Sequence, residues 1–477
     1  MKERIYITTT LPYVNAEPHI GFAMEIIYAD IYARYKKMHG YEVFFNTGTD
    51  EHGQKIYEKA LESGKPVQTY VDEYAEKFKH LQSELFLSLN INFIRTTDKH
   101  HTEAAREFWL RCKASDDIYK KKYVVRYCVG CELEKTDSEL ESGRCPLHPD
   151  KKLQFIEEEN YFFRFSKYGG RLLKLYEANP DFVVPAFRLN EMKSFIERGL
   201  EDFSVSRLKS KMPWGVDVPD DPEHVMYVWF DALASYISAI GWPDDEKKFK
   251  SWWPVVQFAG KDQVRQQAAM WQAMLMSAQL PPSKQIVIHG FITVGGQKMS
   301  KSLGNVIRPQ DIVSEYGAEA LRYYIAREMS PFEDSDFTIE KFKSSYNANL
   351  ANGIGNITQR ILTLAEKYLS KSETIEVNEP VISKEIAVFF EIFEFQKAAD
   401  ALWRLVAKLD QDISARAPYK LVKTDPEGAK IMLKEMLFSL SSIAVALYPF
   451  MPETSENISR AIRTNTRPAV PLFPRKD

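Results

Sequence analysis

The stretch Ile5-Tyr6-Ile7-Thr8-Thr9-Thr10-Leu11-Pro12-Tyr13-Val14-Asn15-Ala16-Glu17-Pro18-His19-Ile20-Gly21 decides the fold. Ile5 to Thr9 reads as a short buried strand and Leu11 to Ala16 as a turn, and Pro18 suits the first turn of a helix, where its missing N–H is no loss. Beyond it Ile20, Met24, Ile27, Ile31, Tyr35 and Met38 recur at spacings of three and four, the stripe by which a helix packs on a sheet, and Gly40 ends it. A strand running into a helix N-terminus aims free backbone N–H groups and a positive dipole end at the space above the strand. Pro18-His19-Ile20-Gly21 is therefore a candidate phosphate site, with Gly21 leaving room for close approach.

Working outward, Val43-Phe44-Phe45 predicts a second strand and Val67 to Leu89 a second long helix. The pattern breaks into short segments between Asp116 and Pro222, then resumes with a strand at Val255 to Phe258, a helix at Val264 to Ala278 and a strand at Gln285 to Ile288. Such alternation implies an α/β fold: a doubly wound, parallel, Rossmann-type sheet split by an insertion. Helical spacing in Leu350 to Leu369, Ile382 to Asp412 and Ala429 to Leu447 implies an all-α bundle after it, with polar connections at Ser370 to Pro380 and Lys423 to Gly428. The expected units are 1–115 and 223–294 for the two halves of the sheet domain, 116–222 for the insertion, 295–345 for a loop and connecting region, and 346–477 for the bundle.

With 477 residues, 44% hydrophobic and 27% charged, the chain is long enough for several buried cores and is not a disordered or collagen-like polymer. The 63 basic and 66 acidic side chains give −3, so a nucleic-acid partner would have to be met by local patches such as Arg460, Arg463 and Arg467. No run approaches the ~20 apolar residues of a membrane span, and Met1 leads into a strand rather than a secretory signal, so a cytoplasmic location without a membrane is expected. There are four cysteines. Cys112 reads as a buried apolar residue, whereas Cys128-x-x-Cys131 and Cys145-x-x-His148 form two knuckles at the spacing that closes around a tetrahedral Zn²⁺. Three thiolates and one imidazole with no spare acid favour a structural ion, one per chain.

Lys298-Met299-Ser300-Lys301-Ser302 places two lysines in a glycine-flanked, serine-rich loop after a buried strand, where cations can follow a moving charge. Together, His19-Ile20-Gly21 and Lys298-Met299-Ser300-Lys301-Ser302 resemble the two signature motifs of class I aminoacyl-tRNA synthetases. Within that class the chain is similar to the methionyl-tRNA synthetase family, through Leu11-Pro12-Tyr13-Val14-Asn15, Gly48-Thr49-Asp50-Glu51-His52-Gly53, Tyr227-Val228-Trp229-Phe230-Asp231-Ala232 and Gly260-Lys261-Asp262. The resemblance runs from about residue 4 to about residue 460. It implies activation of methionine by ATP, with Mg²⁺ on the phosphates, followed by transfer of the acyl group to the terminal adenosine of tRNA(Met), including the initiator. It further implies His19, Lys298 and Lys301 as catalytic residues, with Asn15, Gly21, Gly260 and Asp262 beside them at ATP. Leu11, Tyr13, Asp50, Trp229, Ala232, Tyr236 and Gln267 match methionine-binding positions, and Arg207 matches one near the reacting groups. Asp50, an acceptor only when ionised, suits the α-ammonium, and the aromatics suit a thioether.

The chain departs from the family pattern where Phe22 stands in place of a second histidine, Gln263 in place of an aliphatic residue and Gln267 in place of a histidine. In the bundle, Asn356, Arg360, Pro418 and Tyr419 match anticodon-contacting positions, with Tyr419 where a tryptophan is usual; amides, guanidinium groups and aromatic faces are the groups that read single-stranded bases. Synthetases for leucine, isoleucine and valine carry a larger editing insertion, and a cysteine enzyme needs thiolates before Cys112. A non-enzymatic RNA-binding module is the rival of another class, distinguished by pyrophosphate exchange. A monomer is expected.

Overall fold

The computed structural model describes residues 2–88, 90–131, 133–135, 140–299, 304–370 and 382–476. Lys301, with Ser300 and Ser302, and most of the expected Ser370 to Pro380 connection lie outside the described residues. In chain order the principal strands are β1 (Arg4–Thr8), β2 (Glu42–Thr49), β3 (Ile91–Arg95), the long antiparallel pair β4 (Ile118–Cys128) and β5 (Gln154–Phe163), then β6 (Val183–Val184), β7 (Val255–Gly260) and β8 (Gln285–His289). Six of them form one parallel sheet in the order β3-β2-β1-β7-β8-β6. Ile5, Tyr6 and Ile7 are buried, as befits a strand covered on both faces. Tyr6 aligns with Val255 and Thr8 with Gln257. The strand order reverses between β1 and β7, so the crevice beyond Thr8 and Gly260 lies at the switch point where such sheets bind ligands.

Two expectations are corrected here. Helix α1 spans Ile20–Met38 with His19 as its N-cap, so Pro18 lies outside the helix instead of in its first turn. The stretch expected as an insertion also completes the main sheet, because Val183 and Val184 pair with Ile286 and Val287. The β4–β5 ribbon belongs to a separate antiparallel sheet, in which Phe162 and Phe163 pair with Ser204 and Phe203.

The helical pattern from Ile382 to Asp412 divides into Lys384–Glu391 and Phe395–Arg416. Between them Phe393 takes φ of 60° and buries its ring 4.7 Å from that of Tyr32 and 5.8 Å from that of Phe258, so packing against α1 and β7 overrides helical continuity. The bundle is completed by Asn356–Tyr368, Pro426–Leu447 and Pro452–Thr464. It is fused to the sheet domain by Arg322, fully buried, which pairs with Asp30 of α1 at 2.8 Å and donates to the carbonyls of Phe450 (2.8 Å) and Pro449 (3.0 Å). A buried guanidinium needs that many acceptors.

Candidate active site

At the phosphate end of the crevice, His19 Nδ1 accepts the Gly21 N–H at 3.1 Å. The surrounding protein, and then the Lys298 cation, hold the imidazole below its ordinary pKa, so it is neutral near pH 7. With Nδ1 committed as acceptor, the proton sits on Nε2, which remains a donor at the rim. A Cβ on Gly21 would lie 2.9 Å from His19 Cε1 and 3.6 Å from Met299 Cε, so this glycine makes room for the capping ring and for the loop as well as for a ligand. Ile20 N donates to the Ile307 carbonyl at 3.0 Å, which fastens the segment before Arg308 to α1. The hairpin of Ile292–Val294 and Gln297–Lys298 is turned by Gly295 and Gly296 at φ 62° and 73°, the pair of positive values that a two-residue hairpin turn requires. Lys298 lies 4.9 Å over the Phe291 ring. Phe22 points away from the rim and packs edge-on against Phe78 at 5.4 Å.

On the β7 side Gly260 is followed by Lys261–Gln263 in a single 3₁₀ turn, and Asp262 Oδ1 would lie 2.8 Å from a Cβ at 260. Burial raises the pKa of Asp262 while Lys298 pulls it down. Asn15 is half-buried in the turn before α1.

Next to the rim is a cavity of about 110 Å³ lined by Leu11, Pro12, Tyr13, Asp50, Trp229, Ala232, Leu233, Tyr236, Gln263, Gln266 and Gln267. Its volume suits an amino-acid side chain and not a nucleotide. All seven residues expected around the amino acid are on this wall. The loop at Tyr13 is stitched to Asp50 by Asp50 N to the Pro12 carbonyl at 2.9 Å and Val14 N to the Asp50 carbonyl at 3.3 Å. The helix expected at Val264 to Ala278 contains a wider π turn at Gln266–Met270, and Gln263, Gln266 and Gln267 share its cavity face. Gln267 Nε2 donates to the Tyr236 hydroxyl at 2.9 Å. Arg207 is not on this wall: it donates to Ser204 Oγ and the Ser206 carbonyl and stacks 4.3 Å over Tyr227.

Two buried polar groups around the crevice were given no role by the sequence. Glu25, 4% exposed, accepts from Thr10 N and Oγ1 at 2.7 and 2.6 Å and from His289 Nε2 at 2.8 Å. His289 Nδ1 faces the Gly290 carbonyl at 2.7 Å, so both ring nitrogens must donate. Burial lowers the pKa of His289, but Glu25 outweighs it and the net shift is upward. The signal in the sequence was an acid on the packed face of α1. The second group is Asp231, fully buried between His52 Nδ1 (2.7 Å) and His101 Nε2 (2.8 Å). Burial raises its pKa, yet the two histidines hold it below the usual carboxylate range. Asp231 ties the loop after Asp50 to the helix Val228–Leu233 that carries Trp229.

In the β4–β5 ribbon the ligand atoms of Cys128, Cys131, Cys145 and His148 all lie within 4.8 Å of one another. Cys131 Sγ is 3.3 Å from Cys145 Sγ and 3.2 Å from His148 Nδ1, near the ~3.8 Å edge of a tetrahedron with ~2.3 Å zinc–sulfur bonds. A Cβ on Gly130 would come within 2.4 Å of the His148 ring, so the turn must carry glycine for the imidazole to close in. The donor set fits zinc.

In the bundle, Asn356 is exposed at the start of its helix and Arg360 pairs with Asp410 at 2.7 Å. Tyr419 is 48% exposed, while Pro418 is buried as the first residue of Pro418–Thr424. Arg467 pairs with Glu366 at 3.4 Å and Arg460 bonds Asn457.

The family model of class I tRNA synthetases (M) matches residues 5–154 and 149–362, and that of the anticodon binding domain of methionyl tRNA ligase matches 371–471. The methionine–tRNA ligase of Thermotoga maritima is 42% identical over 98% of this chain and 76% of its own, and that of Synechocystis is 40% identical over 95% and 88%. Mycobacterium tuberculosis methionyl-tRNA synthetase in complex with methionyl-adenylate superposes with a TM-score of 0.90 at 34% identity, covering 99% of this chain and 100% of that one. With the sheet, the rim, the cavity and the knuckle in place, the chain belongs to the methionyl-tRNA synthetases of class I and is a methionine–tRNA ligase.

Proposed function

We propose that the cavity holds the methionine side chain while the rim holds the triphosphate of ATP, carried with Mg²⁺. The observation that supports this most is that Tyr13, Asp50, Trp229, Ala232 and Tyr236 enclose one side-chain-sized space beside the capped N-terminus of α1. Asp50 anchors the α-ammonium, and the aromatics wall the thioether by dispersion and sulfur–ring contact. The carboxylate of methionine attacks the α-phosphorus, the bond to the bridging oxygen breaks, and pyrophosphate leaves with the electron pair, giving methionyl-adenylate. The terminal ribose hydroxyl of tRNA then attacks the acyl carbon and AMP leaves.

His19 donates from Nε2 to the phosphate oxygens as charge builds, and Lys298 and Lys301 follow the departing pyrophosphate; placement and charge stabilisation do the work, with no protein nucleophile. Asn15, Gly21, Gly260 and Asp262 line the path of ATP, and Gln267 contacts the amino acid through Tyr236. Zinc held by Cys128, Cys131, Cys145 and His148 keeps the ribbon folded and supplies no step of the reaction. Asn356, Arg360, Pro418 and Tyr419 read the anticodon of tRNA(Met), initiator included, and the enzyme acts as a monomer. Methionine-dependent exchange of labelled pyrophosphate into ATP tests the scheme: exchange that does not need methionine, or no exchange, refutes it.

A further inference from the structure

Three glutamines line one side of the cavity, and they are not held alike. Gln267, 2% exposed, is bonded at both ends: its Nε2 donates to the Tyr236 hydroxyl and its Oε1 accepts from Gln257 Nε2, each at 2.9 Å. A row of buried amides behind it fixes that direction. Ser283 N–H donates to Gln272 Oε1 at 2.9 Å, Gln272 Nε2 donates to the Gln267 main-chain carbonyl at 2.8 Å, and the Ser283 hydroxyl donates to Gln257 Oε1. A backbone N–H can only donate and a carbonyl only accept, so the row has one orientation and the Gln267 amide cannot turn over.

Gln266 is the next residue and is 4% exposed, yet its Oε1 is buried with no hydrogen-bond partner among the described residues. Trp229 Nε1, on the same cavity, is likewise buried and without a partner there. Buried polar groups are rarely left so, and these two face a space that a ligand enters. The thioether of methionine has no proton to give and only a weakly accepting sulfur, so it leaves the amide unsatisfied. No protein group holds the Gln266 oxygen, so the amide can turn and offer its NH₂ instead.

We infer that Gln266 and the Trp229 N–H form a polar subsite for the oxygen of methionine sulfoxide, and that the enzyme activates this oxidised amino acid as a second substrate. The inference rests on the cavity's being the methionine pocket. The sulfoxide keeps the unbranched chain and terminal methyl and adds one strong acceptor. Against an apolar wall that oxygen would be buried unpaired, at a cost of roughly 10–100-fold in binding, whereas here two N–H groups can take it. The reaction is otherwise that of methionine. The carboxylate attacks the α-phosphorus of ATP, the bond to the bridging oxygen breaks, pyrophosphate leaves with the electron pair, and the sulfur keeps its oxidation state.

The test measures pyrophosphate exchange with methionine and with methionine sulfoxide freed of methionine, the adenylate formed being identified by its mass. The native chain should form the sulfoxide adenylate. Gln266→Leu removes the amide, and the ratio of kcat/KM for the sulfoxide to that for methionine should fall about tenfold, the effect of one buried hydrogen bond. Gln266→Met removes the amide with an unbranched side chain and gives a second reading of the same ratio should Gln266→Leu fail to fold. A merely structural role would lower both substrates together and leave the ratio unmoved. No sulfoxide adenylate from the native chain, or a ratio within twofold of the native value in the folded variants, overturns the subsite alone. Absence of methionine-dependent exchange in the native chain would instead defeat the pocket assignment.

Discussion

The two ends of the crevice are built by opposite means. The rim is open, and its charge stabilisers are a helix N-terminus, one neutral imidazole and a lysine on an exposed hairpin strand. The cavity is the more closed of the two, and two of its walls are backed by buried partners: Tyr236 by Gln267 and the helix of Trp229 by the His52–Asp231–His101 clamp. On the proposed function the difference follows from the tasks. A leaving pyrophosphate must be followed as it moves, so its partners need freedom. A thioether differs from its mimics by one weak acceptor, so the groups that judge it must not move.

Substitutions can break either half separately. The largest effect should come from the knuckle: Gly130→Ala puts a Cβ into the His148 ring, and Cys131→Ser removes a ligand from a type of site whose apparent binding energy is roughly 10–16 kcal/mol. Metal analysis should find about one zinc in the native chain and a clear loss in both variants; full zinc content in Cys131→Ser would remove that ligand from the set.

At the rim, His19→Asn keeps a side chain that caps helices but lacks the Nε2 donor, so single-turnover adenylate formation should slow by about 10²–10³-fold with an unchanged melting temperature. His19→Ala should add a loss of about 1 kcal/mol of stability. If His19→Asn melts early and reacts normally, the imidazole serves the helix alone.

In the closed half, Asp231→Asn leaves two buried histidines without their charge partner and should lower stability by about 3 kcal/mol and raise KM for methionine more than for ATP. Equal changes in both KM values would place the clamp outside the pocket's service. Because the folded pKa of Asp231 is depressed, its contribution is present above the unfolded value of about 3.9 and is lost as pH falls through the folded one. The smallest effect is expected at the junction of the halves. His289 has a raised folded pKa, so the stability it gains from Glu25 is full below about pH 6.5 and fades as pH rises through the folded value. The stability gap between the native chain and His289→Gln should therefore shrink from mild acid to alkaline pH; a gap that widens instead would mean the pair is not ionic.

Much of this was legible in the linear order of residues, for reasons of periodicity. The α1 stripe, the strand at Val255 and the spacing of Cys128, Cys131, Cys145 and His148 are local, and local rules read them. Phe393 was not legible, because its left-handed backbone follows from contacts with Tyr32 and Phe258, far away in the chain. Val183–Val184 was too short to count as a strand until β8 offered it an edge. Gln266 passed unnoticed beside Gln263 and Gln267, since only the π turn turns all three toward one space.

The chain's order of residues alone pointed to the family, the sheet's alternation, the clustering of the knuckle's three thiols and one imidazole and the chemistry available to Asp50 and His19, because each depends on residue type at short spacing. Tertiary structure alone decided which histidine nitrogen carries the proton, which histidines meet a buried carboxylate, and which way a row of amides faces. Those are properties of partners brought together across 130 and 264 residues of separation, as in Asp231 with His101 and Glu25 with His289. A hydrogen bond has a direction only once both of its ends are in place.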